Sequence, residues 1–184
     1  MKIIFLDRDG VINRYPGDYR YVTRWQEFKF LKGVKSALKR LVQNGYKIFI
    51  ISNQAGVSKG IFTKESLDEI THNMLKELEK SKANIEGVFY CTHRQEDNCT
   101  CRKPKTGLLE KAVKTLGVKK IVKKDCFFIG DTIRDIQTGK TFGCRTILVF
   151  SGNEKPQNKE SWAIQPDFTA KDLSEASRII LRHG

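Results

Sequence analysis

Residues 3–10 read IIFLDRDG, four apolar residues followed by a segment with two aspartates and a final glycine. A short apolar run without polar alternation is typical of a strand buried on both faces of a sheet. Further runs of this kind lie at residues 48–51, 88–90, 127–129 and 147–150, and a last short strand is predicted at 167–170.

Segments with helical spacing of apolar residues separate these strands. They lie at residues 34–42, 67–78, 108–116 and 132–142 and around 179–181 near the C-terminal end. Glycines at positions 45, 117 and 143 end three of them, and Thr63 is the expected N-cap of the second. This alternation predicts an α/β fold: a single doubly wound, Rossmann-like, mostly parallel sheet with helices on both faces.

The length and composition indicate one globular domain spanning residues 1–184. The chain has 184 residues, of which 39% are hydrophobic and 30% charged. No run approaches the roughly 20 apolar residues of a membrane span, and the first apolar run is shorter than the roughly 7–15 residues that a signal peptide needs. We therefore expect a cytoplasmic protein, no membrane partner and a monomer. The polar segment 151–166 is either a mobile loop or an ordered surface crossover.

The charge balance points toward anions. Lys and Arg number 34 and Asp and Glu number 21, which gives a formal net charge of +13. Such a field attracts phosphorylated metabolites, nucleic acid or acidic membranes, although a solvated Lys-rich surface produces the same number. Charge alone does not choose among these.

Acidic residues follow two of the predicted strands. Asp7 and Asp9 come directly after the first strand, and Asp131 comes after the run at 127–129. In a doubly wound sheet, ligands bind beyond the carboxyl ends of the strands, so these acids are expected at one edge. Carboxylate oxygens with open positions suit Mg²⁺. Asp135 is either a first-turn acid of a helix or an additional residue near the metal.

Polar and basic residues complete this predicted site. Ser52, Asn53 and Gln54 follow the second strand, where a hydroxyl and amides can hold phosphate oxygens. Arg102 and Lys103 supply cations that can neutralise a transferring phosphoryl group. An acid, a hydroxyl, a base and a second acid, each after its own strand or loop, indicate a functional site.

With these four motifs, the sequence resembles the haloacid dehalogenase-like phosphatases. The resemblance covers nearly the whole chain, and it implies a Mg²⁺-dependent phosphatase. It implies that Asp7 is the nucleophile and that Asp9 is the general acid and base. It also implies that Ser52 and Lys103 stabilise the phosphoryl oxygens. Mg²⁺ would be held by the carboxylates of Asp7 and Asp131 and by the backbone carbonyl of Asp9.

Three cysteines and a histidine crowd into the loop at residues 91–101. Cys91, His93, Cys99 and Cys101 have the form C-x-H-x₅-C-x-C. Three thiolates and one imidazole suit a closed, structural Zn²⁺ site, which would fix the loop leading into Lys103. A Cys99–Cys101 disulfide is the alternative, but it would close a very tight ring. Two further cysteines, at positions 126 and 144, are interpreted as core residues.

The short loops leave no room for a cap domain, so we expect an open site. Residues 13–23 are either a flap over this site or an ordinary aromatic-rich surface loop. Within the superfamily, the chain is similar to the heptose 1,7-bisphosphate 7-phosphatases and to the histidinol-phosphate phosphatases. The stretch 52–60 favours the heptose group, which implies a small phosphorylated sugar as substrate. The remaining substrate-binding candidates are Asn53, Gln54, Ala55, Lys59, Arg102 and Thr132. Thr132 stands where the heptose enzymes commonly have Lys, so Lys59 or Arg102 would have to supply that charge.

A function of another class remains open. A zinc-containing nucleic-acid binder, or a 3′-phosphatase acting on nucleic-acid ends, would also use a strongly positive chain. The lysines are scattered and no nucleic-acid-binding module is recognisable, so we expect no nucleic-acid partner.

Overall fold

The structure is a computed structural model that describes residues 1–118 and 121–184. Within these residues, six strands form one sheet in the order β3-β2-β1-β4-β5-β6, and every neighbouring pair is parallel. The strands are β1 (Ile3–Leu6), β2 (Lys47–Asn53), β3 (Gly87–Cys91), β4 (Cys126–Gly130), β5 (Arg145–Val149) and β6 (Phe168–Ala170). The predicted doubly wound parallel sheet is confirmed.

Five α-helices connect or follow the strands in the described residues. They are α1 (Val34–Gln43), α2 (Lys64–Lys80), α3 (Gly107–Lys114), α4 (Ile133–Phe142) and α5 (Leu173–His183). Thr63 caps α2 by accepting a hydrogen bond from the backbone N–H of Ser66, as predicted. The helix predicted at 108–116 ends earlier, at Lys114. There the amides of Leu116 and Gly117 bond three residues back, which tightens the chain into a turn.

Alternate residues of each strand feed two different cores. On β1, Ile4 and Leu6 pack in a cluster with the apolar stripes of α1, α2 and α5. Ile3 and Phe5 point to the other face, where α3 and the end of α4 supply Leu108, Leu109 and Phe142, among others. Because both faces are covered, the strands read as continuous apolar runs instead of alternating ones.

β1 lies in the middle of the sheet, and this position determines where the candidate site lies. The chain moves from β1 to β2 and β3 on one side, and then to β4, β5 and β6 on the other. Leu6 at the end of β1 is in register with Ile50 of β2 and Ile129 of β4. The residues that follow these three strands therefore meet at one edge, at the point where the strand order reverses.

The segment 151–166 is an ordered crossover in the structure, the second of the two alternatives. Residues Pro156–Ser161 form a short 3₁₀ helix. Trp162 is buried in a cluster with Ile136 and Leu148, and its indole N–H donates to Glu154 at 3.0 Å. No helix within the described ranges has the length and apolar character needed to cross a membrane.

Candidate active site

Carboxylates from β1, β4 and α4 converge at the carboxyl edge of the sheet. Asp7 follows β1, Asp131 follows β4, and Asp135 lies in the first turn of α4. One carboxylate oxygen from each of the three lies within 4.8 Å of the others. Asp131 and Asp135 are buried, and the side chain of Asp7 is 13% exposed. The structure therefore brings Asp7 and Asp131 together, as their strand positions predicted, and adds Asp135 to them.

The ammonium group of Lys103 lies inside this acidic cluster. Its Nζ is 3.0 Å from Asp7 Oδ2 and 2.6 Å from Asp135 Oδ1, and it donates to the carbonyl of Ile51 at 3.1 Å. Burial lowers the pKa of Lys103, but the charges of Asp135 and Asp7 outweigh burial and hold it above its usual value. Lys103 therefore stays protonated, with two carboxylates and one carbonyl oxygen around its ammonium group.

One lysine does not balance three acids. Burial, together with the charges of Asp135 and Asp9, raises the pKa of Asp7 to about 6 despite the opposing effect of Lys103. Burial and the charges of Asp7 and Asp135 raise the pKa of Asp131 well above its usual value. Carboxylates that resist ionisation next to one another are stabilised by a bound cation, and hard oxygen donors suit Mg²⁺. The donor set therefore fits a divalent cation of this kind.

The carboxylate of Asp9 is held by three fully buried side chains. Arg8 approaches it through Nε and Nη2 at 3.0–3.3 Å, Asn13 donates through Nδ2 at 2.8 Å and Gln54 donates through Nε2 at 3.0 Å. Charge-assisted hydrogen bonds of this kind orient a carboxylate strongly. The guanidinium of Arg8 also lies 5.8 Å from the ring centroid of Tyr90.

The polar residues at the carboxyl end of β2 and directly after it make contacts of two kinds. Asn53 pairs with the backbone of Lys103: its Nδ2 donates to the Lys103 carbonyl at 3.2 Å, and its Oδ1 accepts from the Lys103 amide at 3.1 Å. Gln54 is fully buried and also donates to Ser52 Oγ at 3.1 Å. Thr132 caps α4, because its Oγ1 accepts the backbone N–H of Asp135 at 3.4 Å, and Asp135 Oδ2 in turn accepts the backbone N–H of Thr132 at 3.1 Å. The Thr132 hydroxyl also donates to Asp135 Oδ2 at 2.7 Å.

A cleft of about 740 Å³ opens above these groups. Of the predicted site residues, it is lined by Asp7, Asp9, Ser52, Asn53, Ala55, Lys59, Arg102, Lys103, Asp131 and Thr132. Gln54 is buried behind this lining. Residues 15–21 of the predicted flap also line the cleft.

Sequence reasoning missed several residues of this site. Arg134, Asn153 and Glu154 line the cleft without belonging to any recognised motif. Arg8 and Asn13 were not assigned to Asp9, although an arginine between two acids was a visible signal. Asn153 lies in the loop after β5, where the sequence has no periodicity that would place it near Asp131.

The Cys/His cluster lies at the carboxyl end of β3, where Cys91 is the last residue of the strand. Five pairs of possible ligand atoms in this cluster lie 3.2–3.6 Å apart; the atoms are the Sγ atoms of Cys91, Cys99 and Cys101 and Nδ1 of His93. Four soft donors at such separations can surround one metal ion in a tetrahedral arrangement. All five cysteines are free, so the alternative Cys99–Cys101 disulfide is absent from this structure. Cys126 and Cys144 are buried in the core, as predicted.

The loop around this cluster is hydrogen-bonded to the segment after β2 and within itself. Arg94 donates through Nε and Nη2 to the carbonyl of Ser58, at 3.0 and 2.6 Å. Arg102 donates to the carbonyl of His93 at 3.2 Å. The loop thus supports the segment after β2 and leads directly into Lys103.

Comparisons with known proteins agree with this fold and site. A family model described as HAD-hydrolase-like matches residues 100–176. A curated relative from Haemophilus influenzae is 34% identical over 190 residues, covering 98% of this chain and 97% of the relative. The chain therefore belongs to the haloacid dehalogenase-like phosphatases. The Haemophilus relative is named D-glycero-beta-D-manno-heptose-1,7-bisphosphate 7-phosphatase.

Two further proteins resemble this chain over its length. A relative from Chlorobaculum tepidum is 32% identical to this chain, and the match covers 95% of this chain and 92% of the relative. It is named D-glycero-D-manno-heptose-1,7-bisphosphate 7-phosphatase. A crystal structure of the D,D-heptose 1,7-bisphosphate phosphatase from B. bronchiseptica superposes with a TM-score of 0.87 at 29% identity, covering 100% of both chains. That protein was crystallised with magnesium and phosphate.

Proposed function

We propose that this phosphatase removes the 7-phosphate from D-glycero-D-manno-heptose 1,7-bisphosphate. The observation that carries the proposal is the meeting of Asp7, Asp131 and Lys103 at one edge of the sheet, in a cleft of about 740 Å³. This site supports phosphoryl transfer. The heptose substrate is supported by relatives that carry this name and match over nearly their whole length.

Asp7 is the proposed nucleophile. Its Oδ1 accepts the backbone N–H of Arg8 at 2.7 Å, and its Oδ2 lies 3.0 Å from Lys103 Nζ, so both oxygens are oriented. A carboxylate oxygen attacks the phosphorus atom, the bond from phosphorus to the sugar oxygen breaks, and an aspartyl phosphate forms. Water then attacks this phosphorus, and the bond to Asp7 breaks to release inorganic phosphate.

Asp9 is the proposed general acid and base. It gives a proton to the departing sugar oxygen in the first step and takes one from the attacking water in the second. Arg8, Asn13 and Gln54 position its carboxyl group through the hydrogen bonds described above. Gln54 therefore serves the reaction from behind the cleft, through Asp9 and Ser52.

Ser52 and Lys103 are the proposed donors to the phosphoryl oxygens. Ser52 Oγ lines the cleft and accepts a hydrogen bond from Gln54, which leaves its own proton free to point at a ligand. Lys103 supplies a positive charge close to Asp7, where negative charge develops in the transition state. Asn53 fixes the backbone of Lys103 from both sides.

Mg²⁺ is the proposed cofactor. The carboxylates of Asp7 and Asp131, with the backbone carbonyl of Asp9, would hold it, and Asp135 lies close enough to orient this set. When bound, the ion neutralises phosphate charge and so reduces repulsion between the substrate and the carboxylate of Asp7.

Zn²⁺ is the proposed occupant of the Cys/His cluster, with a structural role. Cys91, His93, Cys99 and Cys101 supply four ligands, which satisfies a tetrahedral ion without an open position. The bound ion would fix the loop that carries Arg102 and Lys103.

The second phosphate of the substrate requires cations at the outer part of the cleft. Lys59 and Arg102 line it and are the proposed partners, with Ala55 and Thr132 forming the adjoining wall. Thr132 hydrogen-bonds Asp135, so its contribution is to the shape of the cleft and not to charge.

A Mg²⁺-dependent phosphate-release assay tests this proposal. The purified chain is given both anomers of the heptose bisphosphate, histidinol phosphate and a 3′-phosphorylated oligonucleotide at equal concentrations. We expect kcat/KM for one heptose anomer to exceed that for the other two substrate classes by at least about a hundredfold. A preference for histidinol phosphate or for the oligonucleotide would overturn the heptose assignment while leaving the phosphatase chemistry intact.

A further inference from the structure

The loop after β5 wraps around Asp131. The amide of Asn153 donates to Asp131 Oδ2 at 2.8 Å, and the amide of Glu154 donates to the Asp131 carbonyl at 3.0 Å. Gly152 passes so close that a Cβ there would overlap the Asp131 carboxylate. Ser151 Oγ donates to the carbonyl of Gly10 at 2.6 Å, which ties the loop to the segment after β1. The backbone of this loop is therefore fixed to the catalytic edge.

The side chain of Asn153 extends from this fixed backbone to the flap. Its Nδ2 lies 3.0 Å from both Tyr15 Oη and Asp18 Oδ1. Tyr15 Oη in turn donates to Asp18 Oδ1 at 2.5 Å. The two hydrogens of the amide and the hydroxyl hydrogen thus all have an acceptor, so the three side chains form a closed triangle of hydrogen bonds.

The donor assignment in this triangle is stable. Burial and the hydrogen bond to Asp18 raise the pKa of Tyr15 to about 12, so its hydroxyl remains a donor at neutral pH. An asparagine amide does not titrate. Asp18 accepts from both neighbours through its Oδ1.

The opposite end of the flap has an aromatic anchor. The rings of Tyr21 and Phe62 have centroids 5.8 Å apart, which joins the flap to the segment after β2. Between the two anchors the flap is exposed, and Tyr19 is 96% exposed with a φ of 59°. The flap therefore crosses the mouth of the cleft and is held from both sides.

We propose that Asn153 is a positioning residue that latches the flap over the cleft. It does so by linking Tyr15 and Asp18 to the loop that holds Asp131. The latch determines how tightly the phosphorylated substrate is enclosed, while the groups that carry out phosphoryl transfer lie beneath it. This role deepens the proposed function and rests on it only for the kinetic readout.

Limited trypsin digestion tests the latch without any substrate. Arg14 and Arg20 are exposed and both lie in the flap, so the rate of cleavage after them reports how often the flap opens. We expect Asn153→Ala to be cleaved there about tenfold faster than the parent chain, because the triangle loses two hydrogen bonds. Asn153→Asp should open the flap as well, since a carboxylate cannot donate and would face Asp18. Asn73→Ala on α2, where the amide donates to the Glu69 carbonyl, is the matched control and should digest like the parent chain.

A variant of the acceptor separates a latch from general loosening. Asp18→Asn keeps an oxygen that accepts from Tyr15 and Asn153, so its digestion should stay within about twofold of the parent rate. Asp18→Ala should digest like Asn153→Ala, and combining the two alanines should add little, because they remove the same contact.

Kinetics supply the second readout. With any phosphate ester that the enzyme turns over, Asn153→Ala should raise KM about tenfold and change kcat less than about threefold. Unchanged digestion of Asn153→Ala and Asn153→Asp would overturn the latch, and so would a lower kcat at constant KM. If only the heptose assignment is wrong, the digestion results stand and the KM effect appears with the true substrate.

Discussion

Lys103 is the residue on which the acidic cluster most depends. Its buried ammonium lies between Asp7 and Asp135 and also donates to the Ile51 carbonyl. Removing one partner of a buried ion pair leaves the other charge uncompensated, which typically costs about 3–5 kcal/mol. At this site the same lysine serves folding and the proposed chemistry, so its two roles have to be measured separately.

The stability role of Lys103 is tested by Lys103→Met. In EDTA at pH 8, we expect urea unfolding to give a free energy of unfolding lower by about 3 kcal/mol, because Asp7 and Asp135 lose their counter-charge. Lys64→Met removes an exposed lysine that pairs with Asp68 on α2, and it should change stability by less than about 1 kcal/mol. Equal effects of the two variants would contradict the role assigned to the buried ammonium.

The chemical role of Asp7 is tested by Asp7→Asn. The amide has nearly the same shape but cannot form the acyl phosphate, so turnover in the Mg²⁺ phosphate-release assay should fall by about 10⁴-fold or more. Circular dichroism should show the fold of the parent chain. A folded Asp7→Asn sample that retains substantial activity would remove the covalent mechanism.

Residues next to strand ends were predictable, and residues brought in from elsewhere were not. Asp7, Ser52 and Asp131 each follow a recognisable buried strand, so a parallel sheet places them at one edge by topology alone. The contact between Asn13 and Asp9, and that between Asn153 and Asp131, depend on the paths of two loops. Loop paths are set by specific hydrogen bonds and not by a periodic pattern, and for this reason these two contacts could not be predicted from periodicity.

At the scale of elements, β6 is attached to the sheet through Asp167. This residue precedes β6 and accepts from the amide and hydroxyl of Thr146 on β5, at 2.7 and 2.9 Å, while also pairing with Lys140 of α4. Burial alone would raise the pKa of Asp167, but the hydrogen bonds from Lys140 and Thr146 outweigh burial and lower it below its usual value. The parallel ladder between β5 and this short edge strand is thus reinforced by one ionised side chain.

This arrangement gives a pH-dependent prediction for Asp167→Asn. Because folding lowers the pKa, the ionised carboxylate stabilises the fold above the unfolded-state pKa, and this contribution is lost as pH falls through the lower folded-state value. We expect Asp167→Asn to unfold with about 1 kcal/mol less free energy at pH 7, and urea titrations should show the difference shrinking as pH falls through the lowered folded-state pKa. Asp68→Asn on α2 is the control. A difference that is constant with pH would contradict the charged role of Asp167.

The Cys/His loop is the second element whose role is open to test. We expect protein purified without added metal to contain about one zinc ion per chain, and His93→Ala to lose most of it together with thermal stability. His93 is exposed, so its removal takes away a ligand and little packing. His72→Ala, an exposed histidine on α2, should keep its zinc. Copper or iron in place of zinc would contradict the assignment.

The elements themselves followed from periodicity. Continuous apolar runs identified β1, β2, β4 and β5 to within a few residues, because both faces of the sheet are covered there and nearly every residue of these runs is buried. β3 was also identified by its apolar run, although only its last residue is buried. The end of α3 was misjudged because Leu116 keeps the apolar spacing after the backbone has tightened into a turn. A side-chain pattern reports which face is apolar, and it does not report the hydrogen bonding that ends a helix.

At the scale of the whole molecule, a net charge of +13 surrounds a cleft whose floor is acidic. In the proposed function the floor would bind a cation, and this cation together with Lys103 would attract phosphate, while a positive exterior would favour the approach of a multiply charged anion. The negative charge of the cleft floor and the positive net charge of the chain are therefore compatible, since the first acts on a cation at short range and the second on an anion at long range. Salt screens the exterior over about 10 Å at 0.1 M but affects the buried pairs much less.

Ionic strength should consequently separate the two effects. Between about 20 and 300 mM KCl, we expect kcat/KM for a sugar bisphosphate to fall several-fold while kcat stays nearly constant, because screening weakens approach and binding but not the buried chemistry. A sugar monophosphate with less charge should show a shallower decline under the same saturating Mg²⁺. Sucrose added to equal osmolality controls for solvent effects unrelated to charge. If kcat/KM for the bisphosphate does not change with salt, the positive exterior plays no part in substrate capture, and the excess lysines are simply a solvated surface.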